Sequence, residues 1–297
     1  MTRHAQEIVA EYESYLSQNP SDENALILFG KFLRKVGQEE HAAEYFLEAD
    51  KINPKLAVVK QQLANFLIEK NRPVDAFPLL ILTIQLNPQE AVYHFQLGNF
   101  LFLFEKELVS EKIFTNLSAQ SFMHRCFFEA KSLQPKNFDF QLRYAQSFFD
   151  YPDSNKSRAL IAWKQIENNF PDRTTTEKDY FKLCQAKVLL ELNRKEDASK
   201  LIKTVSSNAL KQSKDFLLLK VRNSEKANSP TQKKKKKSSF NWNHKNFIPS
   251  DPHLERLRKL TGRLIEEKML SELRSDAIKA SYDQSGEIKL ELTNLPK

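Results

Sequence analysis

Three consecutive segments of the chain can be written one under another: NPSDENALILFGKFLRKVGQEEHAAEYFLEADKI (19–52), NPKLAVVKQQLANFLIEKNRPVDAFPLLILTIQL (53–86) and NPQEAVYHFQLGNFLFLF (87–104). Asn19-Pro20, Asn53-Pro54 and Asn87-Pro88 recur at a step of 34 residues. The same step joins Gly30, Ala64 and Gly98; Phe32, Phe66 and Phe100; Leu33, Leu67 and Leu101; Ala42, Ala76 and Ser110; and Phe46, Leu80 and Phe114. Several series in one register are the mark of a structural repeat. Leu26, Phe29, Gly30 and Leu33 fall at three- and four-residue steps, so 23–36 reads as a helix with one apolar face. Gly37 permits a tight turn, and Ala42, Tyr45, Phe46, Ala49 and Ile52 give a second apolar face over 39–52. Pro54 removes a helical donor and turns Asn53 away from helical geometry, which ends that helix.

A helix–turn–helix of this length resembles the tetratricopeptide repeat (TPR) family, and the resemblance covers roughly residues 20–205. It implies an all-α fold, a right-handed α-solenoid of antiparallel helix pairs in about four to five units, with the first helix of each pair lining a concave face. The expected layout is a capping helix at 3–17, repeats at about 23–56, 57–90, 91–137, 138–172 and 179–205, and a closing helix at about 209–222. Pro78 falls inside a second helix, which calls for a kink or a late start. From Pro88 to Pro135 is 47 residues, 13 more than one period. Two segments, 107–118 with Phe114 and 122–133 with Phe127, Ala130 and Leu133, therefore compete as the second helix of the third unit. The 138–172 unit also resembles the half-a-tetratricopeptide variant of RNA-processing scaffolds, through Tyr144-Ala145 and the run Arg158–Pro171, although it lacks that variant's early tryptophan.

Beyond Asn223 the composition changes. Residues 223–249 read as a basic low-complexity linker, disordered unless bound, with Lys233, Lys234, Lys235, Lys236 and Lys237 in one run. That run suits nucleic acid, an anionic surface or nuclear import, or it is a solvated spacer. Phe240, Trp242, Phe247 and Ile248 suggest a docking segment. Residues 250–297 are expected to hold an amphipathic helix, starting at Asp251-Pro252 with leucines from Leu254 to Leu273, and a short hairpin around Asp283–Gly286. The formal charge of +8 is concentrated here. Residues 211–270 hold 16 of the 46 Lys and Arg and 6 of the 38 Asp and Glu, leaving 30 against 32 elsewhere.

Composition narrows the function. Only five glycines occur, so no phosphate-cradling Gly-rich loop is present. Of 22 phenylalanines, 19 lie between Phe29 and Phe181, which places the aromatic core in the repeats. Cys126 and Cys184 form no spaced pair, and the six histidines form no H-x-x-x-H. No catalytic residue, metal site or cofactor is expected. The first twenty residues carry Arg3, Glu7, Glu11 and Glu13 and no apolar run, and no window approaches a membrane span. A cytoplasmic location is expected, or a nuclear one, from the Lys run, if the chain is eukaryotic.

Projected onto the repeat, the inward positions are Lys31, Arg34 and Lys35, then Gln61, Gln62 and Asn65, then Phe95, Gln96, Asn99 and Phe102, then Arg143, Gln146 and Phe149. Amide side chains can pair with a peptide backbone as donor and acceptor, and the cations attract carboxylates. Some TPR proteins clamp a C-terminal carboxylate, and Asn65, Asn99 and Arg143 match that pattern while Gln61, Gln96 and Asp139 depart from it. In this register Asn65 and Asn99 are solvated and Phe66 is buried. The function implied is a non-catalytic scaffold that binds a partner peptide or helix, with the basic tail as a second contact. The alternative is a nucleic-acid-associated protein that binds through the tail.

Overall fold

The computed structural model describes residues 2–226 and the two strands at 278–282 and 288–292. The fold is TPR-like: helices pack in adjacent antiparallel pairs. The described residues fall into two compact units, residues 2–133 together with the two strands, and residues 134–226.

The first unit opens with α1 (Arg3–Gln18), capped by the Thr2 hydroxyl, and α2 (Glu23–Lys35), whose Asp22 cap accepts from the Asn24 and Ala25 amides. Tyr12 of α1 stacks on Phe29 of α2 at 4.9 Å. Next come α3 (Glu39–Ile52), α4 (Ala57–Glu69), α5 (Pro73–Leu86) and α6 (Ala91–Leu103). The repeated sequence takes repeated conformations. Asn19, Asn53 and Asn87 each close a helix at φ between −130° and −143°, as the following proline requires. Gly37 and Asn71, 34 residues apart, are left-handed at φ +80° and +57°. The residue after each donates back into the helix, Gln38 N–H to the Leu33 carbonyl at 2.9 Å and Arg72 N–H to that of Leu67 at 2.8 Å. These are Schellman closures, in which glycine or asparagine tolerates the positive φ.

Helix α5 corrects one expectation. Pro78 does not delay its start: the helix begins at Pro73, where proline is harmless, and runs through Pro78. Every residue from Pro73 to Thr83 is buried. Burial on all sides outweighs the backbone bond that proline removes, a loss of about 3 kcal/mol.

The 13 extra residues lie between α6 and its packing partner. The short α7 (Glu105–Ser110) follows α6 directly, and α8 (Asn116–Leu133) packs along α6. A methyl group at Gly30 would stand 2.7 Å from the Phe46 ring, and one at Gly98 would stand 2.7 Å from the Phe127 ring. The same close approach is thus made by α2–α3 and α6–α8. Phe114 is buried elsewhere, edge-on to Phe77 at 5.4 Å.

A charge pair joins α3 to α4. Lys60 Nζ stands 2.6 Å from Asp50 Oδ1, and both side chains are essentially inaccessible. Lys60 occupies the repeat position of Leu26, also buried. Burial raises the Asp50 pKa above the usual carboxylate value, with Lys60 opposing the shift. The strands β1 (Ile278–Tyr282) and β2 (Ile288–Leu292) form an antiparallel hairpin with Ile278 opposite Leu292, and β1 lies against α3.

The second unit holds α9 (Phe138–Asp150), α10 (Lys156–Asn169), α11 (Thr175–Glu191), α12 (Lys195–Lys203), a single 3-10 turn at Asn208–Leu210 and α13 (Lys211–Lys226). Asn137 and Asn155 cap α9 and α10, and Thr174 with Glu177 forms a capping box on α11. Trp163 is fully buried among Phe149, Tyr180 and Phe181. Asp179 fixes the chain after α12: its Oδ2 accepts from the Ser206 and Ser207 amides at 2.8 and 2.9 Å. The Lys233–Lys237 run, the Phe240–Ile248 segment and the amphipathic stretch from Asp251 lie outside the described residues.

Candidate peptide-binding face

Three first helices of the first unit, α2, α4 and α6, stand side by side and are laced together by side chains. Arg34 of α2 donates to Gln62 Oε1 of α4 at 2.6 Å and pairs with the Glu69 carboxylate. Gln61 of α4 donates to Gln96 Oε1 of α6 at 2.7 Å, and the Gln96 amide donates back to Asn65 Oδ1 at 2.6 Å. The laced residues are half-buried except Glu69, which is exposed. Their mutual bonds occupy several of the groups that sequence reasoning offers to a peptide.

Lys31, Asn65 and Asn99 share one repeat position. Only Asn65 is engaged; Lys31 is exposed, Asn99 is half-buried, and neither has a side-chain partner among the described residues. One cation and one amide therefore remain open on this face. Asn65 is not fully solvated, and Phe66 is half-buried rather than buried, with Lys70 Nζ 5.6 Å from its ring centre.

Helix α6 is apolar on almost every side. Leu97, Gly98, Phe100 and Leu101 face the core, and Phe95 packs edge-on against Phe127 at 5.8 Å. The opposite arc still carries Val92, Phe102 and Leu103, exposed by 44%, 45% and 67%. Their spacing puts them on the arc that bears Phe95, Gln96 and Asn99. Leu28 of α2, at the repeat position of Gln62 and Gln96, is also exposed. Leu28, Val92, Leu103 and Glu69 were not among the residues projected onto this face. Glu69 and Leu103 stand 34 and 68 residues after Lys35, so the period could have found them.

Arg143 belongs to the second unit, where it donates to Asp150 at 2.7 Å. Gln146 of the same helix donates to the Tyr180 hydroxyl at 3.3 Å, and Phe149 stacks on Trp163. Burial pushes the Cys126 thiol up, and that of Cys184 up to about 12, so neither is a thiolate near neutral pH. Among the described residues no group of three or more His, Cys, Asp or Glu side chains could hold a metal ion. No helix among them is long and apolar enough to cross a membrane.

No protein-family model matches the sequence, and no curated protein does. Solved structures do resemble the fold. YrrB, described as a TPR protein with an unusual peptide-binding site, is 11% identical, with 72% of this chain and 97% of that one covered at a TM-score of 0.52. A Desulfovibrio magneticus MamA fragment is 11% identical (70% and 97% covered, TM-score 0.45), and Pseudomonas aeruginosa PilF is 12% identical (86% and 100% covered, TM-score 0.44). At such identity the likeness to YrrB speaks for the TPR-like fold and for nothing further.

Proposed function

We propose that this protein is a non-catalytic interaction scaffold that takes a peptide or helix of a partner on the face of α2, α4 and α6. The observation that carries the reading is the exposed arc of α6. Val92, Phe102 and Leu103 leave apolar surface in water beside the open Asn99 amide, while the rest of the helix is packed. A contiguous exposed apolar strip flanked by polar groups is the usual character of a protein-binding surface. The Gln61–Gln96–Asn65 and Arg34–Gln62 bonds hold the neighbouring helices in one arrangement, so little ordering is left for the binding step. YrrB, described as having a peptide-binding site, offers a precedent on a similar fold.

The test is selection of a random peptide library on the full-length protein, followed by affinity measurement on variants. Selected peptides should lose about fivefold in affinity with Asn99→Ala, the net value of one hydrogen bond at about 1 kcal/mol. They should lose more with Phe102→Asp. Peptides that bind both variants as well as the parent would refute the reading. Affinity for nucleic acid that falls steeply with salt, with no peptide selected, would point instead to the Lys233–Lys237 tail.

A further inference from the structure

The second unit carries a cavity of about 520 Å³ between α9, α11 and α13. Its walls are the rings of Phe149, Tyr180 and Phe216, and Cys184 lies among them on α11. Phe216 is 57% exposed although it stands at a wall of this hollow. Two ammonium groups sit on opposite helices: Lys187 of α11 lies 3.7 Å from the Phe149 ring centre, and Lys220 of α13 lies 4.7 Å from that of Phe216. Among the described residues, neither reaches a carboxylate and no Asp or Glu lines the cavity.

We infer that this cavity is a second docking site, which accepts one aromatic side chain of an extended acidic peptide segment with carboxylates on either side of it. The volume fits a large ring with its adjoining backbone. Aromatic walls favour an aromatic guest through offset and edge contacts. The two cations decide the flanks. In an extended peptide, residues two apart point the same way, so an acidic–x–aromatic–x–acidic pattern sends the ring inward and its two carboxylates toward the same wall. Charge also weighs against this chain's own tail. The segment Phe240–Ile248 carries aromatic residues, but with His244 and Lys245 and no acidic residue. The cavity belongs to the second unit and the α2–α4–α6 face to the first, so this inference survives or fails independently of that reading.

The test uses the full-length protein and a fluorescein-labelled peptide, Gly-Asp-Ser-Trp-Ser-Asp-Gly, followed by fluorescence anisotropy. Its Trp→Ser form should bind at least tenfold more weakly. Lys187→Glu combined with Lys220→Glu should weaken the Trp peptide at least tenfold. Phe216→Ala, a change at an exposed side chain that leaves the circular dichroism unaltered, should weaken it severalfold. Phe102→Asp should leave it unchanged. The proposal is overturned if the Trp and Ser peptides bind alike or if charge reversal has no effect. It is equally overturned if Phe102→Asp abolishes binding, which would place the peptide on the first unit. Binding seen only with Trp242→Ala in the full chain would also overturn it, since the tail would then be the occupant.

Discussion

Asp179 shows how one side chain can hold an interhelical connection in place. It is 1% exposed, and its Oδ2 receives two backbone N–H groups and the Ser206 hydroxyl, while Lys182 approaches Oδ1 at 3.2 Å. Burial pushes its pKa up, but the Ser206 and Ser207 amides and Lys182 outweigh that and hold it below the ordinary aspartate value. Stability linked to a lowered carboxyl pKa is complete above the unfolded value, near ~3.9, and drains away as pH falls through the folded one. Asp179→Ala leaves two amide donors without their acceptor, and the expected cost at pH 7 is ~3 kcal/mol. Urea titrations at pH 7 and pH 3 should show that cost shrink in acid; an equal loss at both values would mean that the carboxylate is not the anchor. Asp50 has the opposite sign. Its raised pKa means that ionisation in the core is a burden on stability near neutral pH, which Lys60 partly offsets.

At the scale of the helix pair, the close approach at Gly98 decides how α6 meets α8. A Cβ placed there would stand 2.7 Å from Phe127 Cε1, and Phe127 is completely buried, so the ring has no room to withdraw. Gly98→Ala should gain up to ~1 kcal/mol of helix propensity. It should lose ~2–3 kcal/mol to overpacking, for a net destabilisation of ~1–2 kcal/mol in chemical denaturation. Adding Phe127→Leu should cost less than the sum of the two single changes, because the smaller side chain relieves the clash. Strict additivity would show that these residues do not touch. The period made the glycine legible, since a crossing this tight requires a small side chain and Gly30, Ala64 and Gly98 fall in step. The ring that meets it was less legible. Phe114 keeps the 34-residue step from Leu80, yet Phe127 fills the place of Phe46, and one sequence does not say which side of α7 the extra residues occupy. The pairing of Gln61, Gln96 and Asn65 was not legible either. Which amides meet depends on how neighbouring helices cross, and composition does not fix that. Lys60 gave no sign of burial, because its partner Asp50 lies in the preceding helix and a lysine in a repeat reads as surface.

At the scale of the molecule, most contacts are between helices adjacent in sequence, α2 with α3, α3 with α4 and α4 with α5 in the first unit and α10 with α11 and α11 with α12 in the second, while α6 meets α8 across the short α7. Such a chain is stabilised by nearest-neighbour interfaces, and a local change is felt mainly by the elements beside it. The β1–β2 hairpin breaks the pattern, because it comes from the far end of the sequence and returns to α3. A lone two-stranded hairpin is marginal in water and needs a surface to persist. The flank of α3 supplies that surface, and a helix gains in turn from an element packed against it. A chain ending at residue 277 should therefore exchange the amide hydrogens of α3 faster than the full chain does. The effect should extend to α2 and α4 more weakly and leave α9 to α12 unchanged, as read by hydrogen exchange with mass spectrometry. Faster exchange throughout both units would mean that the hairpin supports the whole chain. No change in α3 would mean that the hairpin contributes nothing where it sits.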